Sequence, residues 1–180
     1  MTGGLFAIVG PSGAGKDTLM AAAAAHLPEL SLVRRVITRP EAAGGEDFEG
    51  VDAAEFERRA AAGAFVLHWR AHGLRYGIPA SVREVIAAGR PALFNASRAM
   101  LGEAVAMFPA LRILYVTARP EILAQRLRAR GRESAEEIAL RLERAALPLP
   151  QGLTVCEIDN SGPLEEAVAR LVTLLQPVRA

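Results

Sequence analysis

Apolar and polar positions fall into short blocks that change period along the chain. Residues 5–9 (LFAIV) are an unbroken apolar run of strand length, and glycines flank it on both sides. Such a run predicts a strand buried on both faces. Residues 19–27 form an alanine-rich apolar stretch that predicts a helix. Residues 31–38 (SLVRRVIT) are rich in β-branched side chains and predict a second strand, stopped by Pro40. Residues 41–50 are rich in glycine and acid and predict a loop, and 52–62 predict a short surface helix broken by Gly63. Residues 65–69 predict a strand, with a turn at His72-Gly73 before Leu74-Arg75-Tyr76-Gly77. A helix over 79–88 would carry Pro79 near its first turn. Strands are predicted at 91–95, 111–117 and 154–159, and helices at 99–107, 120–130, 135–146 and 163–175. This alternation implies βαβ units, a parallel sheet and an α/β fold. The carboxyl ends of the strands would face one crevice holding the loop after residue 9, Arg39 and Asn95.

That loop, Gly10-Pro11-Ser12-Gly13-Ala14-Gly15-Lys16-Asp17-Thr18, joins the first strand to the first helix. Strand, glycine loop and helix are the context of a phosphate-binding P-loop. Its backbone N–H groups and the helix N-terminus would cradle a phosphate chain. Lys16 is the only lysine among 180 residues, and every other strongly basic residue is arginine. The exception falls where an ammonium on a flexible stem suits the chemistry and a flat guanidinium does not. The Ser or Thr that normally follows the lysine and holds Mg²⁺ is replaced by Asp17, itself a hard oxygen ligand. Thr18 can still offer its hydroxyl to a phosphate.

Composition narrows the class. Hydrophobic residues make up 51%, yet no apolar run approaches the ~20 residues of a membrane span. The chain enters a strand almost at once, which leaves no room for a signal peptide. The single cysteine, Cys156, excludes an internal disulfide and suits a reducing cytoplasm; its apolar surroundings predict a core position. A formal net charge of +1 gives no support for nucleic-acid binding. A homodimer is left open.

Arginines cluster at Arg126, Arg128, Arg130 and Arg132, with Arg141 further on and Glu133, Glu136 and Glu137 between. Arg126 and Arg130 lie four apart and share a helix face. Gly131 between two arginine-bearing helices predicts a hinge. A movable segment carrying guanidinium groups suits phosphoryl transfer, where it neutralises charge and excludes water.

With these residues in hand, the chain resembles the guanylate-kinase-like branch of the P-loop phosphotransferases. The resemblance spans nearly the whole chain and rests on Gly10 to Lys16, Thr38-Arg39, Gly45-Glu46, Tyr76-Gly77, the segment Arg126 to Gly131, and Arg141-Leu142. It implies a three-layer P-loop NTPase-type fold with a central parallel sheet, a small substrate-binding insert and a helical lid. The core would be 1–34, 81–125 and 147–180, the insert about 35–80 and the lid about 126–146. Arg39 and Tyr76 would grip the acceptor phosphate. The glutamate that reads guanine is replaced by His68 before Trp69, the hydroxyl residue after the Tyr-Gly pair by Ile78, and the phosphate-binding tyrosine of the insert by Phe48. Two acids that end a core strand become Asn95 and Ser97.

Within that branch the pattern is similar to the ribose 1,5-bisphosphate phosphokinases of phosphonate degradation. It rests on Gly15 to Thr18, Arg35 to Pro40, Gly44 to Asp47, Ala71 to Pro79, Asn95 to Arg98 and Arg130 to Glu133. The resemblance implies ATP and Mg²⁺ as cofactors and a small sugar phosphate as substrate, with no membrane or nucleic-acid partner. Lys16, Arg126, Arg130 and Arg141 would be catalytic, residues 10–18 and Asn160 would hold ATP, and Asp17 the metal. Arg35, Arg39, His68, His72, Arg75, Tyr76, Asn95, Ser97 and Arg98 would line the acceptor site. A guanylate kinase with unusual base contacts and a non-catalytic binding module are the alternatives.

Overall fold

The computed structural model describes residues 3–43, 47–131 and 133–176. The sequence landmarks Gly44, Gly45, Glu46 and Arg132 lie outside them. Five parallel strands form the larger sheet: β1 (Leu5–Val9), β2 (Ser31–Leu32), β7 (Ala92–Asn95), β8 (Arg112–Thr117) and β9 (Val155–Asp159). Their order is β2-β7-β1-β8-β9, so the loop that follows β1 emerges between the ends of β7 and β8.

Side-chain alternation along β1 builds the layers. Leu5, Ala7 and Val9 join a core cluster on one face, and Phe6 and Ile8 a second cluster on the other. The second face is covered by α1 (Lys16–His26) and α7 (Leu164–Leu175), through residues such as Leu19, Val168 and Leu171. Against the first lie α3 (Val82–Ala87), α4 (Leu101–Met107) and a smaller sheet. With both faces covered, all five residues of β1 are buried, as the unbroken apolar run requires.

The smaller sheet has the order β4-β3-β6-β5, from β3 (Arg35–Ile37), β4 (Phe48–Gly50), β5 (Phe65–Ala71) and β6 (Leu74–Pro79). It is mixed: β3 and β4 are parallel, whereas β6 is antiparallel to both β3 and β5. The helix α2 (Ala53–Ala61) is started by the Asp52 carboxylate, which accepts from Glu55 N at 2.7 Å. Helices α5 (Pro120–Arg130) and α6 (Ala135–Ala145) form a hairpin joined through Gly131, whose φ of 62° caps α5.

Three local expectations fail. The expected strand over 31–38 is two strands on different sheets, because the chain leaves the larger sheet after Leu32 and starts the smaller one at Arg35. The expected loop over 41–50 contains β4, whose three residues are too few for a period to show. Pro79 ends β6 instead of opening a helix, and α3 begins at Val82. The Cys156 side chain is partly buried against the α1–α7 cluster, consistent with its reading as a packing residue.

Candidate active site

The Gly10–Lys16 loop wraps closely enough that two glycines are obligatory. A Cβ on Gly10 would sit 2.3 Å from the Val116 carbonyl oxygen. Gly15 has φ 86°, and a Cβ there would meet Asn160 Nδ2 at 2.7 Å. Lys16 Nζ curls back over the loop, donating to Gly10 O at 2.9 Å and Pro11 O at 3.3 Å. Burial lowers the pKa of that ammonium; nearby Asp17 opposes the shift, while Arg130, Arg35 and Arg98 add to it. Lys16, Arg35 and Arg98, from three segments, border one cavity.

Asn160, which follows β9, is buried and props the loop from below. Its Nδ2 donates to Ala14 O at 2.7 Å, and its backbone N–H donates to Thr117 O at 2.8 Å. Arg126 of α5 joins the same pair of segments, donating to Asn160 O at 2.9 Å and Gly13 O at 3.5 Å. Arg141 of α6 reaches the outer side of the loop and donates to Ser12 Oγ at 2.7 Å. Glu133 pairs with the same guanidinium and holds it there. Arg130 lies exposed in the last turn of α5.

Asp17 stands exposed in the first turn of α1, with Thr18 beside it. Asn95 Nδ2, at the end of β7, lies 3.4 Å from Asp17 Oδ1. No group of three or more His, Cys, Asp or Glu able to hold a metal occurs among the described residues. One exposed carboxylate at the mouth of a phosphate loop fits Mg²⁺, which keeps several waters and takes its remaining ligands from phosphates.

Next to Lys16 opens a cavity of about 320 Å³. Its floor is Gly10, Lys16 and the segment Asn95-Ala96-Ser97-Arg98; its other wall is Trp69, Ala71, His72 and Tyr76 from the β5–β6 hairpin, with Arg35 from β3. Arg35 is buried, donates to Asn95 O at 2.8 Å, and lies 5.2 Å above the Tyr76 ring. Tyr76 in turn stacks on Trp69 at 5.3 Å with the rings 10° apart. His72, with φ 52°, is the one non-glycine described residue with positive φ and forms the hairpin tip with Gly73. Such strain recurs at ligand sites. Arg98 lines the cavity while donating to the carbonyls of Arg144 and Leu147, at 2.5 and 2.7 Å, where α6 ends.

Three residues expected in the acceptor site stand elsewhere. In the β5–β6 register Trp69 faces Tyr76, so the intervening His68 and Arg75 project from the opposite face. There His68 lies near Phe65, and Arg75 pairs with Glu57 of α2. Arg39 is not in the cavity wall and lies 4.4 Å above the Phe48 ring. Trp69 lines the cavity and is not among the residues expected there. The signal was available, since a two-residue His72-Gly73 turn fixes Trp69 opposite Tyr76.

The sequence pattern of the family described as guanylate kinase matches residues 3–176. The chain belongs to the guanylate kinase family. It is 50% identical over 179 residues, 99% of its length, to "Ribose 1,5-bisphosphate phosphokinase PhnN" of Ruegeria sp. (strain TM1040), covering 94% of that protein. It is 46% identical over 175 residues to the protein of the same name from Agrobacterium fabrum (strain C58), covering 96% of each chain. The crystal structure of guanylate kinase from Anaplasma phagocytophilum superposes with a TM-score of 0.65 at 20% identity, over 97% of this chain and 85% of that one, which shows the shared fold. Against that family pattern, the position of the guanine-reading glutamate holds His68 on the far face, and the hydroxyl position after Tyr76-Gly77 holds Ile78, fully buried in the core. No helix among the described residues is long and apolar enough to cross a membrane.

Proposed function

We propose that this guanylate kinase family member is an ATP-dependent kinase that phosphorylates ribose 1,5-bisphosphate to 5-phosphoribosyl 1-diphosphate in phosphonate degradation, in the cytoplasm. The observation that carries the reading is the cavity beside Lys16: cationic at its walls, compact, and without the glutamate and the hydroxyl residue that would read guanine, whose positions hold His68 and Ile78. A site without those groups has no reason to select a nucleotide.

The acceptor is a phosphate oxygen of the sugar bisphosphate. Its second pKa is about 6, so it is ionised at neutral pH and needs no general base. It attacks the γ-phosphorus of ATP, the bond to the β–γ bridging oxygen breaks, and ADP leaves with that electron pair. The work left to the protein is positioning and charge neutralisation. Lys16 moves from the Gly10 and Pro11 carbonyls to the transferred group. Asp17 would hold Mg²⁺, which when bound supplies charge neutralisation at the phosphates. The hairpin of α5 and α6 acts as a lid hinged at Gly131, bringing Arg126, Arg130 and Arg141 to the phosphates of ATP. Arg35 and Arg98 answer the acceptor's anionic groups, and Tyr76 packs beside them. Asn160 acts on ATP through the loop it supports.

The test is ADP release in the presence of ATP and Mg²⁺ with ribose 1,5-bisphosphate, ribose 5-phosphate or GMP as acceptor. Release with the bisphosphate alone supports the reading. Efficient release with GMP and none with the bisphosphate overturns it.

A further inference from the structure

Two polar atoms in the acceptor cavity's lining have no partner. Trp69, the only tryptophan of the chain, is 6% exposed, and its Nε1–H is buried without a hydrogen bond among the described residues. Ser97 Oγ is buried without one as well. A buried donor left unmade is costly, and native proteins rarely tolerate one without a reason. Two such atoms on residues that line one cavity point to a common reason. They also come from two sides: Trp69 from strand β5 of the smaller sheet, Ser97 from the loop after β7 of the larger one.

The other polar groups of the cavity are three cations, Lys16, Arg35 and Arg98, and the side chains of His72, Tyr76 and Asn95. Lys16, Arg35 and Arg98 suit phosphates, and the neutral middle of a sugar bisphosphate falls to the uncharged groups, of which Trp69 Nε1 and Ser97 Oγ are the buried ones without a partner. An indole N–H and a serine hydroxyl have the chemistry for alcohol groups, because the first donates and the second both donates and accepts. The parallel stack on Tyr76 fixes the indole plane and with it the direction of its N–H.

We propose that Trp69 Nε1 and Ser97 Oγ are the sugar-reading contacts of the acceptor site, each bonding a ring hydroxyl of the pentose held between the two sheets. Trp69 and Ser97 line the cavity from its two sides, so a pentose held there lies between them. The inference rests on the proposed acceptor and adds to it a reason for selecting a hydroxylated sugar. A site that hydrogen-bonds a substrate hydroxyl discriminates strongly against the analogue lacking it, because its own polar groups are then left unpaired.

The test compares kcat/KM for ribose 1,5-bisphosphate and for its 2-deoxy and 3-deoxy analogues, in the whole chain as wild type, Trp69→Phe and Ser97→Ala. Phenylalanine keeps an aromatic ring against Tyr76 and removes the N–H. Wild type is expected to prefer the ribose compound over at least one deoxy analogue by about 30-fold or more. Trp69→Phe should lose about 10- to 100-fold on the ribose compound while its rate on that analogue changes by less than about threefold, so the preference collapses. A lost ring stack or a displaced structural water would slow all three substrates alike and leave the preference unchanged; that result in folded variants overturns the inference. Should Trp69→Phe fail to fold, the same ratio measured on Ser97→Ala decides. Failure of wild type to use ribose 1,5-bisphosphate at all defeats the acceptor assignment itself, which is a separate outcome.

Discussion

Arg141 of helix α6 donates a hydrogen bond to Ser12 Oγ of the phosphate loop at 2.7 Å, across 129 residues of sequence. The arginine-bearing hairpin therefore already touches the loop whose ligand it is proposed to cover. Glu133, at the start of the same hairpin arm, holds the guanidinium from behind. Replacing Arg141 by alanine is expected to lower kcat by about 10²- to 10³-fold, the size of losing one stabilising group at a transferring phosphoryl. The measurement is single-turnover kinetics at saturating ATP. An unchanged rate would remove Arg141 from the reaction and leave it a structural strut.

The loop is also held from below, and this part is positional. Asn160 Nδ2 bonds Ala14 O at 2.7 Å and is close enough to Gly15 to forbid a side chain there. Asn160→Ala should destabilise the fold by about 1–3 kcal/mol, since it leaves a buried carbonyl unpaired. For a chain of this size that is roughly 2–12 °C in melting temperature. It should also raise KM for ATP more than it lowers kcat. A variant with native melting temperature and native KM would contradict the supporting role.

Asp17 takes the place where a hydroxyl normally sits, and Asn95 Nδ2 lies 3.4 Å from its carboxylate. Asp17→Asn keeps the shape and removes the charge. We expect the Mg²⁺ concentration for half-maximal activity to rise by about tenfold, as expected when a hard cation loses one anionic ligand. Magnesium titrations of the two proteins decide it, and coincident curves would exclude the carboxylate from the metal's surroundings.

The insert carries a pH signature separate from catalysis. Hydrogen bonds from Arg58 and Arg59 lower the Glu55 pKa to about 2. A carboxylate depressed in the folded state adds stability at pH values above its unfolded pKa and loses it as pH falls through the folded one. Wild type should therefore melt above Glu55→Gln at neutral pH, with the gap closing between about pH 4.5 and about pH 2. A gap that is constant over that range would mean the arginines do not discriminate the charged form.

How much of this was legible beforehand follows from the physics of each element. β1 and α5 match their expected bounds, because a doubly buried strand and a proline-led helix ending before glycine leave strong local marks. The smaller sheet was far less legible. Its strands β3 and β4 have three residues each, and pairing between them is set by tertiary contacts that no local period records. The phosphate loop could be read residue by residue, since its backbone shape dictates its glycines. The acceptor wall could not, because whether His68 or Trp69 faces the cavity is a matter of one residue of register. The same ambiguity hid Arg75 behind the sheet. Arg98 was expected as an anion contact, and its hold on the end of α6 is invisible without the fold.

The central claim is that this chain transfers phosphate to a phosphate, on a sugar, through Lys16. The most direct measurement is ³¹P NMR of a reaction containing ATP, Mg²⁺ and ribose 1,5-bisphosphate, run with wild type and with Lys16→Ala of native melting temperature. The account predicts a new pair of coupled diphosphate resonances on the pentose, growing in step with ADP, in wild type only. ADP without a sugar diphosphate, or equal product from Lys16→Ala, would contradict it.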